Sequence, residues 1–318
     1  MITLEAVESF FPPRVVTVEE RAAQLELNPA QTHAFRRIHE LERMHYDPEL
    51  DLYDLVLPPA QKTLAQTDPR SVRYVLYAHA IHGANGAAPD TAQQIKERLG
   101  LDHATAFSLT QQNYAIPLSA IDVAGALLAA DGDPDARVLL VTGEKPDPRI
   151  AKQINTVMLA DGAASCLVAL DGEGAQVRSF ATRTRGAYYD GLRGTPEQFR
   201  EAAQMRPKVL REIMDEAVES AGCTLADIQF IIPPNQGRPF WNGTLDGEDL
   251  LAKCFFDNNA RYSHCLAPDV LINYVTIREE GRFEPGRPSM FLATGLGWTF
   301  SAMVFVPPSV TGGSRRWL

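Results

Sequence analysis

Cysteine is scarce and unpaired in this sequence. Its four residues, Cys166, Cys223, Cys254 and Cys265, show no Cys-x-x-Cys spacing. That argues against a structural zinc site or a dithiol redox pair and fits a reduced, cytoplasmic setting. Long apolar runs are also missing. None reaches the 18 residues that would mark a membrane span, and the opening MITLEAVESFFPP has neither the basic stretch nor the long apolar core of a secretory signal. Positive charge is in deficit. A net charge of −10 and a pI near 5.2 argue against a nucleic-acid partner, while leaving room for a local basic patch that meets a phosphate-bearing substrate. No residue cluster calls for a metal or a cofactor.

What the sequence does contain is organised around residues 107–130, FSLTQQNYAIPLSAIDVAGALLAA. A short apolar run stops at a polar knot, Thr110-Gln111-Gln112-Asn113. Tyr114 then leads into a segment that is apolar almost all round, the mark of a buried helix. Pro117 suits its first turn. A polar knot at the N-terminus of a buried helix sits where the helix dipole is positive and backbone donors are free, a setting for chemistry.

Read in order, residues 2–10 form a strand closed by Pro12 and Pro13. Thr17 and Glu20 make a capping box that opens a helix through about Leu27. Residues 31–46 concentrate bases and histidines; they read as a solvated helix and loop, the alternative being contact with a phosphate arm. Residues 52–66 are helical and 72–80 a buried strand. Asp90 caps a helix through Leu99 that Gly100 ends. A short strand to about Leu109 delivers the knot. After a turn at 131–134 come a strand at 137–142, then 158–170, where an Asp161-Gly162 turn runs into a strand of small residues suited to close packing on a helix, and a strand at 177–184. Near residue 200 the pattern restarts. An amphipathic helix covers 206–221, a strand 228–232, a loop 233–243, a helix about 247–256, a loop 261–269 and a helix through Ile277. Strands at 289–294 and 298–306 flank the turn Gly295-Leu296-Gly297, and the tail 309–318 reads as loose. Alternating strands and helices predict a layered α/β fold, and the second half echoes the first.

Several segments together carry a resemblance. LGLDHATAFSL and PLSAIDVAGALLAADG surround the central helix; RVLLVTGEKP and LADGAASCLVAL follow it; IQFIIPPNQ, YSHCLAPDVLINY and FLATGLGWTFSAMVF complete the set. In order and spacing the chain resembles the thiolase-fold condensing enzymes, specifically ketoacyl-ACP synthase III and its acyltransferase-like relatives. The resemblance implies an α-β-α-β-α fold of five layers made of two similar halves, here residues 1–172 and 173–318, and a homodimer. It implies a nucleophilic Cys at the start of the central helix, with a lowered pKa, a His and an Asn or second His on two later loops, and an oxyanion hole at a Gly-rich turn. Acyl-CoA or acyl-carrier-protein thioesters are the implied substrates, without a cofactor.

The chain departs from that pattern where chemistry is concentrated. Counting back along the helix, the nucleophile position falls on Tyr114; counting forward from Phe107 it falls on Asn113, and the longer helix match favours Tyr114. Where the family has Pro-His, this chain has Pro233-Pro234 followed by Asn235. His264, in Ser263-His264, stands where the synthases have Asn. The catalytic candidates are therefore His264, Tyr114, Asn113 and Asn235, and the oxyanion and substrate-binding candidates are Gly295, Gly297, Gln112 and Trp298. A tyrosine phenol, with a pKa near 10, is a poor substitute for a thiolate, so the expected chemistry is acyl transfer by an atypical route without a Cys nucleophile, in a natural-product or fatty-acid-type pathway. Cys265 as a displaced nucleophile and Ser119 in the helix read as packed residues. Arg36, Arg37, Arg183 and Arg185 are candidates for the phosphates of coenzyme A or an acidic carrier protein. The alternative is a non-catalytic partner in a heterodimer with an active homologue, or an acyl-binding protein that retains only the pocket.

Overall fold

The computed structural model describes residues 1–80, 90–145, 151–152, 157–188, 194–245, 247–295 and 298–308. Its strands are β1 (Ile2–Phe10), β2 (Val15–Thr17), β3 (Arg43–His45), β4 (Val72–Ala78), β5 (Thr105–Leu109), β6 (Arg137–Gly143), β7 (Ala163–Leu170), β8 (Ala175–Thr184), β9 (Ile231–Ile232), β10 (Ser289–Thr294) and β11 (Thr299–Val306). Its α-helices are α1 (Val18–Gln24), α2 (Pro29–Arg37), α3 (Leu52–Leu64), α4 (Thr91–Arg98), α5 (Ile116–Asp131), α6 (Pro196–Ser220), α7 (Arg238–Asn242), α8 (Glu248–Lys253), α9 (Asp257–Tyr262) and α10 (Asp269–Glu279).

Hydrogen bonding joins nine strands in the order β5-β4-β6-β7-β1-β8-β11-β10-β9. The continuity hangs on β1. It pairs along its length with β7, from Ile2 opposite Leu170 to Phe10 opposite Ala163. At its start it also pairs with β8, Thr3 opposite Gln176 and Leu4 opposite Ala175. A register shift in the β7 ladder, between Leu4 and Ala6, falls where β1 leaves its second partner β8. Gly174 makes this crossing possible: a Cβ there would lie 2.1 Å from the Leu4 carbonyl oxygen.

The layers follow from which apolar faces meet. Helices α3 and α4 cover one face of the β5-β4-β6-β7-β1 segment, with Leu55, Val56, Val75, Ile95 and Leu139 fully buried between them. Helix α6 covers the β8-β11-β10-β9 segment on its outer side through Leu210, Ile213 and Met214. Helices α5 and α10 lie between the two segments and touch both, in the largest core. The architecture is the expected α-β-α-β-α sandwich of two similar halves.

Local chemistry explains most element ends. Thr17–Glu20, Asn28–Gln31, Asp51–Asp54 and Thr195–Gln198 all form reciprocal capping boxes. The structure also corrects several boundaries. Helix α1 stops at Gln24 rather than Leu27, and Asp90 makes no side-chain cap, its backbone at φ −106° and ψ 17° being turned away from the capping conformation. Helix α6 begins at Pro196, ten residues before the expected start at 206, because the Thr195 capping box and Pro196 open it earlier. The strand expected at 228–232 is only Ile231–Ile232, and 257–262, expected to run into a loop, is helix α9. The small residues of β7 do pack closely on a helix: Ser165 donates to the Pro59 carbonyl of α3 at 2.7 Å and pairs with Thr63 at 2.5 Å. Helix α5 is less uniformly buried than its composition implies, since Asp122, Ala126, Ala129 and Ala130 are exposed. Residues 113–131 would by length and composition cross a membrane, but they pack largely inside the protein. The tail at 309–318 lies outside the described residues.

Candidate active site

The polar knot and the later loops converge beneath the N-terminus of α5. Gln111 and Asn113 both adopt left-handed backbone conformations, at φ 77° and 53°, so the chain turns sharply out of β5 and through a short 3-10 turn, Asn113–Ala115, into the helix. Gly295 makes room for that turn. A Cβ on it would lie 2.5 Å from the Gln112 carbonyl oxygen and 2.9 Å from the Asn113 Cβ. The Gln112 side chain takes a hydrogen bond from the Ser119 hydroxyl one turn into the helix. Among the described residues the N–H groups of Asn113 and Tyr114 have no acceptor, as expected at a helix start.

Tyr114 is buried and its ring meets the His264 imidazole edge-on, with centroids 4.5 Å apart and an interplanar angle of 84°. His264 is itself fully buried. Its main chain is pinned to the segment before β7: Ala160 N–H donates to the His264 carbonyl at 3.0 Å, and the Ser263 hydroxyl to the Met158 carbonyl at 2.6 Å. Ser263 and Leu266, at φ 57° and 72°, are left-handed residues on either side of it. Holding two such residues costs about 1–2 kcal/mol each, which the surrounding packing has to offset.

Sequence reasoning missed the residue that orients this histidine. Asp269, the first residue of α10 and fully buried, lies 2.5 Å from His264 Nδ1 through Oδ2. The same oxygen accepts from the Asn235 backbone N–H at 2.7 Å, and Oδ1 accepts from the Cys265 N–H at 2.8 Å. A carboxylate at a helix N-terminus is favoured by the dipole, and one that accepts three N–H groups fixes the imidazole with its proton on Nδ1. Behind Asp269, Asn273 Nδ2 donates to the Pro233 carbonyl at 2.8 Å and to Asn235 Oδ1 at 3.0 Å, while Asn273 Oδ1 accepts from Asn258 Nδ2 at 2.8 Å. The signal was in the sequence: Asp269, Asn273 and Thr276 recur at i, i+4 and i+7 in a stretch that is otherwise apolar as far as Ile277.

Four buried polar atoms around the site, Thr110 Oγ1, Asn113 Oδ1, Asn235 Nδ2 and His264 Nε2, have no hydrogen-bond partner among the described residues. His264, Tyr114 and Asn235 are therefore brought together, with Asn113 beside them on the knot. Two of the oxyanion candidates are not available. The Gly295 N–H is committed to the Thr299 carbonyl at 2.8 Å and the Trp298 N–H to the Gly295 carbonyl at 3.1 Å. The Trp298 ring packs away from the dyad, against Tyr188 and Phe300. Gly297 lies outside the described residues.

Burial, reinforced by Glu144 and Asp269, pushes the Tyr114 phenol well above its ordinary value. Cys265 is buried and its thiol is likewise driven up, by burial and then by Asp269 and Asp161; a Cβ on Gly162 would lie 2.7 Å from its sulfur, so it is a packed residue. Among the described residues no group of His, Cys, Asp or Glu has the arrangement of a metal site. Of the arginine candidates, Arg36 pairs with Glu19 at 3.2 Å and Arg183 with Glu216, while Arg37 is exposed.

A buried helix N-terminus between two sheet segments, facing a His-bearing loop and Gly295, is the arrangement of a thiolase-type fold. Comparison with known proteins agrees. Residues 218–306 match the family described as 3-oxoacyl-[acyl-carrier-protein (ACP)] synthase III C terminal. The β-ketoacyl-[acyl-carrier-protein] synthase III of Erythrobacter litoralis is 27% identical over 92% of this chain and 95% of its own, and that of Deinococcus deserti 23% over 94% and 89%. Among solved structures, ChlB3, described as an acyltransferase, superposes with a TM-score of 0.83 at 20% identity, covering 97% of this chain and 98% of its own. The 3-oxoacyl-(acyl carrier protein) synthase III of Pseudomonas aeruginosa gives 0.79 at 17% identity, covering 98% and 99%. The chain is thus similar along most of its length to ketoacyl-ACP synthase III proteins and shares their thiolase-like fold.

Proposed function

We propose that the protein is an acyltransferase that passes an acyl group directly from a coenzyme A or acyl-carrier-protein thioester to an acceptor, with His264 as general base and no acyl-enzyme. The observation that carries this reading is the dyad: His264 held through Nδ1 by Asp269, with Nε2 buried and without a hydrogen-bond partner among the described residues. Such an imidazole takes the acceptor's proton as the acceptor attacks the thioester carbonyl. Asn113 is the residue at the family's nucleophile position, one residue before the position that the helix count favours. It is left-handed, opens the turn into the helix and presses on Gly295, the features of a nucleophile elbow. A carboxamide does not form a thioester-like intermediate, and the Tyr114 phenol stays protonated at neutral pH because burial raises it. Direct transfer remains. The free N–H groups at Asn113 and Tyr114 then serve the developing oxyanion.

A groove of about 1010 Å³ beside α1 and α2, lined by His33, Arg36 and Arg37 but also by Glu19, Glu40 and Glu42, is the candidate place for the thioester carrier. One of its walls neighbours the site loop, because Glu40 lies 3.9 Å from Arg238, three residues after Asn235. A cytoplasmic homodimer in a biosynthetic pathway, needing no cofactor, belongs to the same reading. So do the acyl-carrier protein named for the relatives and the acyl transfer named for ChlB3.

The test is incubation with a set of acyl-CoAs and acyl-carrier proteins, following free thiol and intact protein mass. Thiol release with no mass adduct is the expected result; a stable acyl adduct overturns direct transfer. Binding without thiol release supports the second reading, a non-catalytic partner or acyl-binding protein, which the Tyr114 ring set against His264 also favours.

A further inference from the structure

Resting on that acyl-transfer reading, the structure assigns the class of acceptor. We infer that the group bound between His264 and Asn235 is an alcohol hydroxyl, so that the product is an ester and carbon–carbon bond formation is excluded.

The argument is an accounting of donors and acceptors, and each step is forced by the one behind it. The Pro233 carbonyl can only accept, so the Asn273 group facing it is its NH2. That NH2 also meets Asn235, so the Asn235 atom turned towards it is Oδ1. The outer atom of Asn273 is then its oxygen, and it accepts from Asn258, whose Nδ2 also donates to Thr276 Oγ1 at 2.9 Å. The Asn235 amide is thus locked with its Nδ2 as a donor that has no partner among the described residues. On the other side, Asp269 accepts two backbone N–H groups and His264 Nδ1, so in the neutral imidazole Nε2 is the nitrogen that presents a lone pair. One Asp269 oxygen holds both the His264 ring and the Asn235 backbone, which ties the two residues to one carboxylate. Both residues are buried, at 0% and 5% exposure, where an unsatisfied polar atom costs most.

One enforced acceptor beside one enforced donor is the complement of a hydroxyl, which gives its proton to Nε2 and takes the Asn235 N–H on its oxygen. It is a poor match for the enolate oxygen of a decarboxylating malonyl thioester, which needs donors on every side and would face the Nε2 lone pair. The step balances without a further reactant. The hydroxyl oxygen bonds to the thioester carbonyl carbon, its proton moves to Nε2, the carbon–sulfur bond breaks, and the imidazolium returns the proton to the leaving thiolate. Asn235 is then a catalytic residue that touches substrate, and Asn273 is a positioning residue.

The experiment offers acetyl-CoA to the full-length protein with water alone, with glycerol, glucose or a phenol, or with malonyl-CoA, and follows thiol release, carbon dioxide and products by mass spectrometry. The expected result is thiol release that rises with an alcohol, an ester product and no carbon dioxide. Carbon dioxide or a β-keto product, or release that is the same with and without alcohol, overturns the inference while leaving acyl-thioester chemistry standing. No release in any arm overturns the proposed function itself, and this inference with it. Asn235→Asp replaces the donor with an acceptor and should raise the KM for the alcohol roughly tenfold while leaving that for acetyl-CoA in place. Asn273→Asp should do the same at a smaller size, and an unchanged alcohol KM in Asn235→Asp is a second overturning result.

Discussion

A buried imidazole that shares its carboxylate with two backbone N–H groups matters to stability as well as to turnover. Replacing His264 by Ala removes a hydrogen-bond donor from a fully buried Asp269 and leaves a gap under Tyr114. His264→Ala should therefore lose turnover and also about 2–3 kcal/mol of stability, read as a lower urea midpoint. The cysteines give a second check. Cys166 and Cys265 are buried with strongly raised thiols, burial pushes Cys254 up to about 12, and Cys223 is partly exposed with a smaller rise. A raised thiol pKa leaves little thiolate at pH 8, so alkylation followed by peptide mapping should label Cys223 first, and Cys166 and Cys265 only on unfolding. His264 was legible as a candidate because its loop has a recognisable place in the chain. Whether Asn113 or Tyr114 opens the helix was not, because a one-residue difference in a loop leaves the residue pattern unchanged while moving the left-handed backbone.

At the scale of elements, the turn after β10 and the turn before α5 act as a matched pair. Gly295→Ala would drive a Cβ to 2.5 Å from a carbonyl oxygen that cannot move without the helix start. Turnover should fall by roughly 10²-fold, since displacements near 1 Å at a reacting centre have that effect. A normal-rate variant would show that the knot is not the reaction site. Strands β10 and β11 could be read from the sequence almost to the residue, because their apolar runs end at glycine and proline. The start of α6 could not, since residues 196–205 are largely polar and exposed; a capping box sets that start, and the apolar face comes later.

The layered α/β class was readable from alternating elements and from two helices too apolar for a surface. The join between the halves was not, because β1 finds its partners far along the chain and no local pattern announces a pairing of that range. Gly174→Ala, with its Cβ 2.1 Å from the Leu4 carbonyl, should destabilise the protein by about 2–3 kcal/mol. Gly186→Ala has nothing within 4 Å of the new atom and should be neutral in the same denaturation series. The position of β1 also has a consequence in time. Its ladder, Ile2 against Leu170 and Leu4 against Ala175, cannot close until both later strands have left the ribosome. At about 5–20 residues per second that is a wait of roughly 10–30 s. Through that interval the strand destined for the centre of the sheet has both of its edges unpaired, and so it is a natural early client for a chaperone.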